Sequence, residues 1–229
     1  MAREELGLPP TGRLYAAISD ELAMVATFPQ LEYPRSWPDH VHVTGPMLFE
    51  LPHPEGDLPE GDGPLVLVAG STAQDQELEV VRTSLEALAE EPVRVLATLN
   101  QRGLEWPGPV PHNATVVDWV SYSQVIPHAS IVACNGGHGT VARSLAEGVP
   151  LVIRPAGADM GENGARVTWA GVGLMLPRGV FGRHSLRAAV RKVLAEEGFA
   201  TRARALARWS RRNDGAEHGA ELVDGHLGR

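Results

Sequence analysis

The stretch 130-SIVACNGGHGTVARSLAEGVPLVIRP-155 decides the fold, because it places a glycine turn and a helix between two apolar runs. The runs Ile131–Cys134 and Leu151–Ile153 have the length and composition of buried strands, and residues Thr140–Glu147 carry apolar side chains at helical spacing. Strand, helix and strand in this order are typical of parallel α/β folds.

The same alternation extends over the chain from about residue 63. Further aliphatic runs predict strands, and apolar residues at helical spacing predict helices: Leu65–Ala69, Val93–Ala97 and Ala114–Val117 for strands, and Asp75–Glu90, Ser121–His128 and Asn163–Ala170 for helices. After Arg183 only helical patterns follow. Short strands that are apolar throughout are typical of sheets covered on both faces. We therefore predict an α/β, Rossmann-like doubly wound parallel sheet with helices on both faces.

Three pairs of polar residues have capping-box spacing and predict helix starts. They are Ser71 with Gln74, Ser121 with Gln124, and Asp159 with Glu162.

The chain divides at a loop, 53-HPEGDLPEGDGP-64, whose proline, glycine and acidic residues are typical of a solvated linker. Residues 1–62 contain too few apolar residues for a complete core, so we interpret them as a lead-in and interdomain linker. Residues 63–229 form the predicted main domain.

Composition excludes several classes of function. Among 229 residues, 20 Lys and Arg face 28 Asp and Glu, and the net charge of −8 disfavours nucleic-acid binding. No apolar run approaches the roughly 20 residues of a membrane helix. The start, MAREELGLPP, has no secretory pattern, so we expect a cytoplasmic protein.

Cysteine and histidine usage argues against cross-links and metals. Cys134 is the single cysteine, and it is expected to be a small buried side chain at a strand end. The nine histidines lack the spacing of a ligand cluster, so no metal site is predicted. No other cofactor is predicted either.

The glycine turn predicts a phosphate site. Gly136, Gly137 and Gly139 permit close backbone approach, the following helix directs its N–H groups at an anion, and Thr140 adds a hydroxyl donor. Glycines that serve only to turn the chain are the simpler alternative.

A nicotinamide-dependent oxidoreductase is another alternative, because Gly137-x-Gly139-x-x-Ala142 also fits the dinucleotide fingerprint. That fingerprint expects an acidic residue after the next strand, whereas this strand ends in Arg154. A P-loop lysine and a Gly-x-Ser-x-Gly elbow are both missing.

Residues 118–177, DWVSYSQVIPHASIVACNGGHGTVARSLAEGVPLVIRPAGADMGENGARVTWAGVGLMLP, resemble the donor-binding signature of GT-B glycosyltransferases of the macrolide, natural-product type. The resemblance implies a nucleoside-diphosphate-sugar donor, with dTDP or UDP as the nucleotide. It also implies transfer of the sugar to a hydroxyl of a small natural-product acceptor, without a metal.

The resemblance also assigns the nucleotide end of the donor site. Trp119 stands where the family stacks a tryptophan beside the base, and backbone groups of Val120 would read the base edge. The segment continues Ser121-Tyr122 where the family has Pro-Gln. Arg143 replaces the glutamate that often holds the ribose, which reverses the charge at that position.

The remaining donor contacts follow from the same resemblance. The diphosphate turn is Asn135, Gly136, Gly137, His138, Gly139 and Thr140, with Asn135 in place of the family's histidine. Asp159 and Met160 match a sugar-binding Asp-Gln pair, which mildly favours a deoxysugar. Ser71 and Thr72 match a loop near the donor phosphates.

The family's catalytic base is a histidine, supported by an aspartate, in an N-terminal domain. The first residues, through 24-MVATFPQLEYPRSWPDHVHVTGP-46, resemble the segment that leads out of that domain, so we assign no catalytic residue to this chain. We expect donor binding without transfer, and self-association through apolar surface on residues 1–45 and on the helices after Ser210. A non-catalytic interaction module derived from such an enzyme is the third alternative.

Overall fold

The computed structural model describes residues 5, 7, 18–50, 58–71, 74–100, 103 and 105–228. Within these ranges the strands are β1 (Ala23–Val25), β2 (Val41–Val43), β3 (Leu65–Ala69), β4 (Arg94–Thr98), β5 (Ala114–Val117), β6 (Ile131–Cys134), β7 (Leu151–Ile153) and β8 (Gly173–Met175). The helices are α1 (Glu79–Leu88), α2 (Tyr122–Val125), α3 (His138–Ala146), α4 (Met160–Trp169), α5 (Arg183–Ala195), α6 (Glu197–Ser210) and α7 (Gly215–His226).

Strands β3 to β8 form one parallel sheet of six strands in the order β5-β4-β3-β6-β7-β8. Chain connections leave the centre of this sheet in both directions, because β3 pairs with β4 on one side and with β6 on the other. The carboxyl ends of β3 and β6 therefore border the crevice where doubly wound sheets bind ligands.

Two apolar layers confirm the predicted fold class. On one face, alternate strand residues such as Leu67 and Val132 pack with α3, α4 and α6. On the other face, the intervening residues such as Val66 and Ile131 pack with α1 and α5. All five residues of β3 are buried, because each face of the strand is covered by helices.

Residues 18–50 pack onto the main domain. Strands β1 and β2 form a separate parallel pair, and Phe28, which follows β1, is fully buried in the layer that contains α3 and α6. Gly45 has a positive φ of 101°, and a side chain there would meet the Trp209 ring at 3.2 Å. The lead-in therefore contributes to the core of the molecule.

Two local predictions need correction. Ser71 and Gln74 do not start a helix, because α1 begins at Glu79 and its first N–H groups donate to the Asp75 carboxylate over 2.9 and 3.1 Å. Strand β8 was not predicted, since its three residues contain a glycine. A side chain on Gly173 would lie 2.2 Å from the Leu151 carbonyl oxygen, so only glycine fits this edge strand.

The other two predicted helix starts are at the right positions. Ser121 precedes α2 and Asp159 precedes α4, although neither side chain accepts a hydrogen bond from its helix.

Candidate functional site

A pocket of about 600 Å³ opens at the carboxyl ends of β3 and β6. Many of the predicted donor residues line it: Ser71, Trp119, Val120, Asn135, Gly137, Gly139, Thr140, Arg143 and Met160. The pocket coincides with the topological switch point of the sheet, where the strand order reverses.

The glycine turn forms the part of the pocket beside α3. Gly136 needs its positive φ of 85°, and a Cβ there would lie 2.7 Å from Ile153 Cγ2. At Gly137 and Gly139 a Cβ would have no neighbouring atom within 4 Å, so the backbone is open to a ligand. Gly137 is the N-cap residue of α3 and has no side chain to accept from the N–H groups of the first turn. An anion can therefore approach the positive end of this helix.

Asn135 has a hydrogen-bond partner on each side. Its Oδ1 accepts from the Ser71 N–H over 2.7 Å, and its Nδ2 donates to the Arg154 carbonyl over 3.2 Å. The side chain is buried, with 2% of its surface exposed. Asn135 thus links the loop after β3 to the end of β7 across the floor of the pocket.

Trp119 follows β5, which is three strands from β6 in the sheet, and it lines the same pocket and is half-buried. Beside it, the Tyr122 hydroxyl donates to Asn100 Oδ1 over 3.1 Å, and Asn100 Nδ2 donates to the Gly70 carbonyl. Burial raises the pKa of the Tyr122 hydroxyl, so it stays protonated as a donor at neutral pH.

Arg143 faces a carboxylate that sequence reasoning did not single out. Its Nη2 lies 4.0 Å from Glu50 Oε2, and the two side chains are 17% and 19% exposed. Glu50 also accepts hydrogen bonds from the Tyr122 and Ser123 N–H groups, over 2.7 and 2.9 Å.

Hydrogen bonding to Glu50 determines its ionisation. Burial by itself raises the pKa of this carboxyl, but hydrogen bonds from Ser123, Tyr122 and Ser121 outweigh burial and lower the pKa below 4.5. The carboxylate is therefore charged at neutral pH.

Three of the predicted and described residues do not line the pocket: Gly136, His138 and Asp159. The Gly136 carbonyl accepts from Asn163 Nδ2 over 2.9 Å, and Asp159 is exposed and accepts from the same amide over 3.0 Å. His138 lies 2.9 Å from the Ala26 carbonyl and lines a separate cavity of about 140 Å³ with Arg166. Thr72 lies outside the described residues.

Sequence reasoning missed several lining residues: Met47, Leu48, Phe49, Glu50, Ala69, Gly70, Asn100 and Tyr122. Asn100 could have been found, because an asparagine just after a predicted strand is typical of a turn at the edge where ligands bind. The structure gives it a positive φ of 57°, which asparagine tolerates. Residues 47–50 could not have been found from the sequence, since they lie between β2 and β3 and belong to no motif.

Cys134 is at the end of β6 and is 2% exposed, which confirms the expected buried side chain. Burial raises the pKa of its thiol to about 12, so the thiol is protonated at neutral pH.

The described ranges contain neither a metal-ligating cluster nor a helix that could cross a membrane. No three His, Cys, Asp or Glu side chains there are grouped to hold a metal ion. Of the helices that the structure describes, none is both long and apolar enough to cross a membrane.

The parallel sheet of six strands, its strand order and the pocket at its switch point define the nucleotide-binding half of a GT-B glycosyltransferase fold. The chain belongs to the family described as "Erythromycin biosynthesis protein CIII-like, C-terminal domain", whose model matches residues 82–213. The resemblance drawn from residues 118–177 is therefore confirmed.

Known proteins align with nearly the whole chain. The 4′-demethylrebeccamycin synthase of Lentzea aerocolonigenes is 32% identical over 235 residues, which cover 98% of this chain and 55% of that protein. The crystal structure of the calicheamicin glycosyltransferase CalG4 has a TM-score of 0.78 and 27% identity, covering 91% of this chain and 53% of its own.

A third relative was solved with a nucleotide. The glycosyltransferase VinC in complex with dTDP has a TM-score of 0.67 and 22% identity, covering 88% of this chain and 51% of its own. This chain spans about half the length, or less, of the curated relatives it matches. Because the matches are to glycosyltransferases, neither an NAD(P)-binding oxidoreductase nor a non-catalytic interaction module is favoured.

Proposed function

We propose that the chain binds a nucleoside-diphosphate sugar, with dTDP or UDP as the nucleotide, in the pocket at the switch point. The observation that carries this proposal is the placement of Trp119 and the open first turn of α3 in one pocket. An indole ring can stack on a base, and a helix N-terminus attracts a diphosphate. The solved VinC complex with dTDP supports the choice of ligand.

The whole protein would transfer the sugar to a hydroxyl of a small natural-product acceptor. The acceptor oxygen attacks the anomeric carbon, the bond from that carbon to the diphosphate breaks, and a base removes the hydroxyl proton. We place that base in an acceptor domain outside this chain. The N–H groups at Gly139 and Thr140 would stabilise the negative charge on the leaving diphosphate.

This proposal uses no metal or other cofactor. Helix α3 supplies the positive potential that a metal would otherwise bring to the diphosphate. We also propose a cytoplasmic location, where nucleotide sugars and pathway intermediates are available.

An acceptor domain has a suitable surface to cover. Met24 and Met47 are 41% and 39% exposed, and both approach Gly219 of α7. Val223 lies one helical turn further along α7 and is also partly exposed. We propose that the acceptor domain covers this apolar surface and that the isolated chain self-associates through it.

Isothermal titration calorimetry with UDP, dTDP and NAD tests the proposed ligand. We expect one or both nucleoside diphosphates to bind, NAD not to bind, and EDTA to leave the affinity unchanged. Binding of NAD alone would instead support an oxidoreductase, and binding of none would support an interaction module.

Addition of a separately expressed acceptor domain from a related enzyme tests whether this chain binds the donor while the acceptor domain supplies the base. We expect sugar transfer only from the mixture. Efficient transfer by this chain alone would contradict the assignment of the base to another domain.

A further inference from the structure

Among the described residues that line the pocket at the switch point, Glu50 has the one acidic side chain. An anionic ligand would be repelled by this carboxylate, so its position beside a proposed diphosphate site needs an explanation. Glu50 is held firmly, by the Tyr122 and Ser123 N–H groups at 2.7 and 2.9 Å, and is 19% exposed.

The contacts of Glu50 join the two parts of the pocket. Tyr122 and Ser123 are the first two residues of α2, shortly after Trp119, on the side assigned to the base. Arg143 is one turn along α3 from Thr140, which belongs to the diphosphate turn, and its Nη2 lies 4.0 Å from the carboxylate. In a nucleotide the ribose connects the base to the diphosphate, so it must span the same two elements.

A charged carboxylate can only accept hydrogen bonds. The groups of a nucleotide that can donate to it are the ribose hydroxyls and the N–H of the base. Because Glu50 bridges the two ends of the pocket, the ribose hydroxyls are the donors that its position favours. The 3′-hydroxyl is the one that UDP and dTDP share.

We propose that Glu50 recognises the 3′-hydroxyl of the donor nucleotide and that Arg143 is its counter-ion. This inference rests on the proposed function and adds a specificity residue to it. Arg143 reduces the repulsion between the carboxylate and the diphosphate, while the Tyr122 and Ser123 N–H groups orient the carboxylate. The Ser121 and Ser123 hydroxyls also donate to Glu50, and a ribose hydroxyl would take the place of one of these rotatable donors.

The test compares each nucleoside diphosphate with its 3′-deoxy analogue by calorimetry, in the wild-type chain and in Glu50→Ala. A hydrogen bond to a charged group predicts that the wild-type chain binds the 3′-hydroxyl form about 10- to 100-fold more tightly. In Glu50→Ala this preference should nearly disappear. Pyrophosphate, which has no ribose, should bind the variant at least as tightly as the wild-type chain.

Two further variants separate recognition from structure. Glu60→Ala removes an exposed carboxylate from the same segment between β2 and β3 and should keep the full preference. Glu50→Gln keeps the shape of the side chain without its charge and should reduce the preference for the 3′-hydroxyl several-fold. It takes the place of Glu50→Ala in the test if the alanine variant does not fold.

The outcomes distinguish the two proposals. Equal losses for the nucleotide, its 3′-deoxy analogue and pyrophosphate in both Glu50 variants would mean that Glu50 only shapes the pocket, and would overturn the inference. Wild-type binding without a preference for the 3′-hydroxyl would overturn it as well. A wild-type chain that binds neither UDP nor dTDP would overturn the proposed function itself, and this inference with it.

Discussion

Asn135 Oδ1 accepts a 2.7 Å hydrogen bond from the Ser71 N–H and so joins the loop after β3 to the end of β6. The Nδ2 group of the same side chain donates to the Arg154 carbonyl at the end of β7. Three neighbouring strands are thus held together at the edge where the pocket opens. Asn135 therefore positions the pocket lining through the backbone.

Replacement of Asn135 by alanine should lower the free energy of unfolding by about 1–3 kcal/mol, because the part-buried Ser71 N–H and the buried Arg154 carbonyl each lose a hydrogen bond. Urea denaturation measures the change. Asn213→Ala is the control, since the amide of Asn213 makes its hydrogen bond to the Trp209 carbonyl at an exposed position. A loss no larger than that of the control would contradict the structural role of Asn135.

Replacement of Trp119 by alanine should weaken nucleoside diphosphate binding by about 1–3 kcal/mol, the range for stacking between a base and an aromatic ring. Pyrophosphate binding should be unchanged because pyrophosphate has no base. Trp106→Ala is the control, since Trp106 lines a different cavity beside α1. Calorimetry measures both affinities, and an equal loss for pyrophosphate would place Trp119 in a purely structural role.

Two glycines of the phosphate turn should respond differently to alanine. Gly136→Ala should cost roughly 1–3 kcal/mol of stability, because its φ is 85° and the new methyl would lie 2.7 Å from Ile153 Cγ2. Gly139→Ala should keep or raise stability by up to about 1 kcal/mol, since Gly139 is in the first turn of α3 and has open space at the Cβ position.

The Gly139→Ala variant should nevertheless bind nucleotide more weakly, because its methyl adds bulk to the pocket lining. Thermal denaturation and calorimetry on the same preparations separate the two effects. Unchanged affinity in Gly139→Ala would mean that the diphosphate does not approach this turn.

The stability contributed by Glu50 should depend on pH. Hydrogen bonds lower its pKa in the folded chain below the ordinary value of 4.5, so its contribution is fully present above that value and is lost as the pH falls through the lowered pKa. The stability difference between the wild-type chain and Glu50→Gln should therefore be largest near neutral pH and should shrink in acid. Urea denaturation at several pH values measures it.

Glu60→Gln is the control for this pH dependence, because Glu60 is exposed in the same segment between β2 and β3. Its stability difference from the wild-type chain should be small at every pH. A difference for Glu50→Gln that grows on acidification would contradict the assigned direction of the pKa shift.

The sequence by itself determined the α/β class and the central elements. Strands such as Leu65–Ala69 are buried on both faces, so every consecutive residue must be apolar, and a continuous apolar run is visible in the sequence. The glycine turn was equally readable, because a positive φ at Gly136 is a local demand that few other residues meet. Strand β8 was not readable, since three residues with a glycine resemble a loop and are stabilised by pairing with β7.

Only the tertiary structure decided which residues meet in the pocket. Glu50 and Tyr122 are 72 positions apart, and no local pattern connects a linker carboxylate to the N–H groups of a distant helix. The same holds for Asn135, whose partner Ser71 is 64 positions away. Local sequence encodes backbone preferences and burial, whereas hydrogen bonds between distant segments form only after the sheet brings the strand ends to one edge.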